Sequence, residues 1–104
     1  MTIQPIVSQY TINAASEPDG INGTHYEIKV DRALQIDGPA KWAVRWMGRC
    51  LHRSGRWDME PLPSSRTDRW LTSHRFDLET ALTLAQKAAP ELVVNGRRPD
   101  GRVS

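Results

Sequence analysis

The chain has a single cysteine, Cys50, so no disulfide can form within it and a disulfide-stapled framework is excluded. No stretch approaches the roughly 18–20 consecutive apolar residues that span a bilayer, so a membrane-spanning helix is not expected. The opening Met1-Thr2-Ile3-Gln4-Pro5 lacks a basic segment followed by an apolar run, so no signal peptide is expected and a cytoplasmic location is. A phosphate-cradling glycine loop and a serine nucleophile elbow are both missing. Lysine is scarce: of the 14 basic residues only Lys29, Lys41 and Lys87 are not arginine.

What is present fits one folded domain. At 104 residues a second core would not fit. Apolar residues at 38% and charged residues at 25% make a globular rather than a disordered composition. We expect a single α+β domain over 1–96 and a flexible basic tail over 97–104. The net charge of +2 is too small to imply a polyanionic partner. Its distribution is uneven: residues 1–40 sum to −3 and residues 41–104 to +5. Arginine favours planar, bidentate contacts with carboxylate or phosphate, although a GC-rich coding genome would produce the same bias.

Period-two alternation marks strands over Ile6–Ala14, with Ile6, Tyr10, Ile12 and Ala14 on one side, and over Tyr26–Val30. Asp19-Gly20 and Asn22-Gly23 tolerate positive φ, so the two should form a hairpin with a turn-rich tip, and Asn22-Gly23-Thr24 reads as turn rather than glycosylation site. Asp37-Gly38-Pro39 places another turn within Gln35–Ala40.

The richest segment is Trp42–Trp57. Read as one strand from Trp42 to Arg53, its even positions Trp42, Val44, Trp46, Gly48, Cys50 and His52 form one side and its odd positions Ala43, Arg45, Met47, Arg49, Leu51 and Arg53 the other. Ser54-Gly55 as a two-residue turn would then pair Cys50 with Met59 and Arg49 with Glu60. That register assigns Trp42, Val44, Trp46, Cys50, Trp57 and Met59 to the core. It assigns Arg45, Met47, Arg49, Leu51, Arg53 and Arg56 to an outer, partner-binding face.

Pro61-Leu62-Pro63 ends the return strand. Ser64–Arg69 reads as a polar loop, Trp70–Ser73 as a short strand and Glu91–Gly96 as a last one. Between the latter two, Leu78, Ala81, Leu82, Ala85 and Ala88 recur at helical spacing. Asp77 suits the N-cap, and Pro90 should stop the helix near Ala88. The expected architecture is an antiparallel sheet of four to five strands packed on one C-terminal helix, about 78–88.

Catalysis is poorly supported. His25, His52 and His74 are scattered, and Cys50-Leu51-His52 has no second close pair to complete a zinc site. A thiol on the core face is more often packing than nucleophile. The acidic residues suggest no paired-carboxylate chemistry. No catalytic residue, metal or cofactor is expected, and most of the tryptophan should hold the fold.

Three antiparallel strands followed by a helix over Lys41–Ala89 resemble, in topology, the AP2-type and integrase N-terminal DNA-binding domains, which read DNA with the sheet face. That resemblance implies a nucleic-acid module using Arg45, Arg49, Arg53 and Arg56. The run Trp42-Ala-Val-Arg, Gly48-Arg-Cys-Leu, Glu60-Pro-Leu-Pro-Ser-Ser-Arg66, His74-Arg-Phe-Asp-Leu and Val94-Asn-Gly96 resembles small uncharacterised proteins of actinobacteriophages and their hosts, over residues 42–96. It implies a phage or prophage context. With Met47 and Leu51 among the arginines, the expectation is a non-enzymatic binding protein that docks a host protein or a second copy of itself, with DNA the alternative.

Overall fold

Alternating apolar side chains build the first pair of strands. In the computed structural model, which describes residues 3, 6–20, 22–33 and 38–103, β1 (Gln9–Ile12) and β2 (Ile28–Ala33) run antiparallel. Tyr10 lies opposite Val30 and Ile12 opposite Ile28, so one face of the pair is apolar. Ile6, expected in the first strand, lies outside it and is exposed. The connection contains a 3-10 turn, Gly23–Tyr26, that delivers Tyr26 to the core. Of the expected turn over Gln35–Ala40, residues 35–37 lie outside the described residues, and Gly38, within them, takes φ 82°.

Three more strands follow in sequence: β3 (Lys41–Trp46), β4 (Arg49–Leu51) and β5 (Trp57–Met59). They complete a five-stranded antiparallel sheet in the order of the chain. One face carries α2 (Leu78–Ala88), making the expected α+β fold. Ala81 and Ala85 are fully buried, and their small side chains let the helix approach Ile28, Val30 and Val44 closely. Asp77 caps the helix by accepting from the Thr80 N–H at 2.8 Å. The helix ends at Ala88, and one 3-10 turn carrying Pro90 follows.

Two turns differ from expectation, and they decide the site. Trp42–Arg53 is not one strand: Met47 (φ 48°) and Gly48 (φ 75°) form a two-residue turn between β3 and β4. Both positions need positive φ, the geometry that suits tightly twisted hairpins and favours Asn-Gly. Met47 sits there at a cost of about 1–2 kcal/mol. Met47→Asn should therefore raise stability by about 0.5–1 kcal/mol, seen as a higher urea midpoint; an unchanged or lower midpoint would show that Met47 is not strained. The second turn spans Arg53-Ser54-Gly55, with Gly55 at φ 97° and the Gly55 N–H donating to the His52 carbonyl at 2.8 Å. The register becomes Arg49 with Met59, Cys50 with Asp58 and Leu51 with Trp57, one residue away from the pairing expected from a two-residue loop.

The expected strand at Trp70–Ser73 is instead part of a helix, α1 (Asp68–His74). Thr67 caps it, its hydroxyl accepting from the Trp70 N–H at 3.1 Å, and Asp68 stands in the first turn. Between the helices Phe76 returns to pair with Trp42 through N–H to carbonyl bonds of 2.7 and 2.9 Å. The expected strand over Glu91–Gly96 is also absent among the described elements: Leu92 enters the core, and Asn95-Gly96 turns the chain so that Val94 faces Arg97. In the segment 97–103, expected as a tail, the Arg98 N–H donates to the Arg102 carbonyl at 2.8 Å, and the Tyr26 hydroxyl donates to the Arg97 carbonyl at 2.8 Å. Among the described residues no helix is long and apolar enough to cross a membrane.

Candidate functional site

The turn at Met47-Gly48 pairs even-numbered residues with odd ones, so it changes which residues share a face. Trp42, Val44 and Trp46 of β3 lie on the α2 side with Arg49, Leu51, Trp57 and Met59. Ala43, Arg45, Cys50 and Asp58 lie on the other side. Leu51, expected on the outer face, is therefore fully buried in the core, and Cys50 is buried on the face away from α2. A one-residue change of register moves a whole set of side chains across a sheet.

The six residues expected to form one binding face are consequently divided. Arg45 is tied up in ion pairs. Met47 stands 65% exposed at the tip of the β3–β4 turn. Arg49 is exposed at the mouth of a groove, and Leu51 lines that groove from the core. Arg53 is exposed on the β4–β5 turn, and Arg56 is exposed at its base, where its Nε donates to Asp58 at 3.1 Å. They do not make a ribbon of arginines.

The β4–β5 hairpin instead has two flanks. On the α2 side it forms an open groove of about 540 Å3 with the end of that helix and the segment after it. Trp46, Leu51, Trp57, Leu84, Ala88 and Leu92 supply the apolar lining. Trp46 and Trp57 pack tilted at 5.5 Å between ring centroids, and the Trp46 indole N–H donates to the His25 carbonyl at 2.9 Å, so both rings are fixed. Arg49, Arg53 and Lys87 stand at the rim, and Glu91, the acidic residue there, pairs with Arg98 at 3.2 Å. The helical contribution escaped the sequence reading, although Leu84, Lys87, Ala88 and Glu91 recur at helical spacing beside the core stripe.

On the opposite side, Glu60 is a hub. Arg45 grips it with a two-pronged fork, Nε at 3.1 Å and Nη2 at 2.8 Å. Arg75 donates to it at 2.7 Å, and Arg66 approaches to 3.4 Å. Arg45 also reaches Asp31 at 3.3 Å. Burial opposes the charge of Glu60, but Arg45 and Arg75 outweigh it and hold the carboxyl at about 2, well below 4.5. Cys50 lies beneath, accepting from Arg75 at 3.4 Å. Burial pushes its thiol up, against the nearby Arg75.

Next to this hub the hairpin meets α1 across a second open cleft, of about 790 Å3. His74, 2% exposed, bonds Asp58 through Nε2 at 2.8 Å and stacks on Trp70 at 4.1 Å with the planes 8° apart. The His74 hydrogen bond holds the Asp58 carboxyl below its usual range, with Arg56 adding to the effect. His52 sets its ring edge-on to His74 at 5.1 Å. Among the described residues no three His, Cys, Asp or Glu side chains are placed to hold a metal ion. Compared with known family models, curated proteins and solved structures, the chain matches none.

Proposed function

We propose that the protein is a non-enzymatic binding protein whose groove between the β4–β5 hairpin and α2 takes an acidic, amphipathic peptide segment of a partner protein. The observation that carries this reading is the pairing of an apolar lining with a basic rim: Trp46, Trp57 and Leu84 within, over the buried Leu51, and Arg49, Arg53 and Lys87 around them. Fixed tryptophans beside arginine are the residues on which binding energy concentrates. The positive rim would steer and orient acidic residues on the segment, while its apolar face fills the groove. The apolar contribution to binding moves from the expected outer face to this flank, with Met47 and Met59, 65% and 74% exposed, at the same end of the sheet. In the phage or prophage context implied by residues 42–96, the partner would be a host protein.

The buried, raised Cys50 thiol supports a binding role over cysteine chemistry. The DNA alternative loses its sheet face, since α2 covers one side and Arg45 is committed to Glu60 and Asp31 on the other.

Panning the full chain against a random peptide display library tests the proposal. Selected peptides should be acidic, with large apolar residues spaced for one face, and should shift the indole signals of Trp46 and Trp57 in NMR spectra. Lys87→Glu, at an exposed position, should weaken them about tenfold or more. Selection of basic or uncharged peptides, or binding indifferent to Lys87→Glu, would sink the idea.

A further inference from the structure

The cleft between the β4–β5 hairpin and α1 is built differently from the groove: polar, basic and held by hydrogen bonds between its two walls. The Arg53 backbone N–H donates to the Ser73 carbonyl at 2.9 Å, which fixes the turn against the helix. Arg53 and Arg56 line the cleft from the turn and Arg69 from α1. Among the described residues Asp58 is the one carboxylate in the lining, and it is already engaged by His74 at 2.8 Å and by Arg56. Among the described residues Arg53 and Arg69 make no ion pair. Arg56 is oriented through its Nε, which leaves its terminal amino groups for another acceptor.

His52 completes the wall. Its Nδ1 accepts from the Ser54 N–H at 3.0 Å, so in the neutral ring the proton sits on Nε2, the nitrogen turned away from that turn. Burial, and then the positive Arg56 beside it, pull this imidazole below its ordinary value. The site thus gathers donors of like sign with too little carboxylate to balance them, a situation that a bound anion relieves.

We infer that this cleft is a binding site for a phosphate group, held by Arg53, Arg56 and Arg69 with His52 as a further donor. The arginines offer planar forks matched to phosphate oxygens. Trp70 does not offer a stacking platform for a base, since His74 covers one region of it and the Arg75 guanidinium lies 5.0 Å from its ring centroid. Recognition therefore rests on the phosphate, carried either by a small phosphate ester or by a nucleic-acid backbone. This site is separate from the peptide groove, sharing with it only Arg53 among its basic residues.

Inorganic phosphate titrated into the full chain, followed by NMR of the His52 ring and the arginine side chains, tests the inference. Saturable shifts with a dissociation constant of order millimolar are expected, together with a move of the His52 titration to higher pH. Arg69→Ala should weaken binding about tenfold, whereas Lys87→Glu, in the peptide groove, should leave it unchanged. Repeating the titration with a short oligonucleotide separates the sources. At least tenfold tighter binding that falls steeply with salt and is lost in Arg69→Ala assigns a nucleic-acid backbone. Binding no tighter than phosphate assigns a small ester. Shifts that fail to saturate, or that persist in Arg69→Ala, overturn the site.

Discussion

Glu60→Ala is expected to cost about 3–5 kcal/mol of folding free energy, measured by urea denaturation. For a chain of this size the whole stability is about 5–15 kcal/mol, so a substantial fraction would be lost at one residue just after β5 whose side chain is only 18% exposed. The cost comes less from the attraction removed than from what is stranded. Arg75, with a side chain only 6% exposed, keeps its bond to the His74 carbonyl but loses the one carboxylate that it pairs with among the described residues. Arg45 retains Asp31 at 3.3 Å, and Arg66 retains the Pro61 carbonyl, so they suffer less. Glu60→Gln preserves shape and one acceptor oxygen and should cost less than alanine. A loss under about 1 kcal/mol for alanine is what an exposed ion pair would give, and it would show that the cluster is not a structural hub.

The same residue sets a pH dependence. The folded carboxyl lies at about 2 and the ordinary value is 4.5, so the unfolded chain binds this proton more readily. The contribution of Glu60 is fully present above about pH 4.5 and is lost as pH falls toward 2. Asp58, held low by His74, works in the same direction. The comparison of wild type with Glu60→Gln isolates Glu60: the stability difference between them should shrink as pH falls through this window.

Much of the fold is legible in residue pattern because its signals are local. The alternation of Tyr10 and Ile12, the Asp77 cap and the Leu78–Ala88 stripe each act within a few residues, and each appears where expected. The errors arise where a turn competes with a pattern. Met47 gives no turn signal of its own, so the alternation from Trp42 to Arg53 conceals a reversal at Gly48. The Ser54-Gly55 pair suggests a two-residue loop, yet the chain uses three. Each error shifts the parity of the faces by one, and together they cancel. Trp57 therefore faces α2 as expected, while Cys50 and Leu51 between the two turns exchange sides. The groove and the Glu60 hub were invisible for another reason. Both join residues far apart in the chain, Trp46 with Leu84 and Glu60 with Arg45 and Arg75, and no local spacing encodes such meetings. Thr67 as the α1 cap was available in the sequence, but Trp70-Leu71-Thr72 reads equally well as a strand.

The exchange of Cys50 and Leu51 leads to the second large effect: Leu51→Ala is expected to cost about 2–5 kcal/mol. Leu51 is fully buried with Val44, Trp42 and Leu92 in the core cluster and pairs across the ladder with Trp57. Alanine would remove its methyl groups and leave a cavity that the Trp46–Trp57 pair, anchored by the bond to the His25 carbonyl, closes only in part. Met59→Ala is the matched control, because Met59 belongs to the same face two residues from Trp57 but is 74% exposed. It should change stability by no more than about 0.5 kcal/mol. The continuous-strand reading reverses the two results, placing Leu51 in solvent and Met59 in the core. Similar small losses for both would reject the Met47-Gly48 turn, and with it the groove that this turn creates by carrying Leu51 to the α2 side.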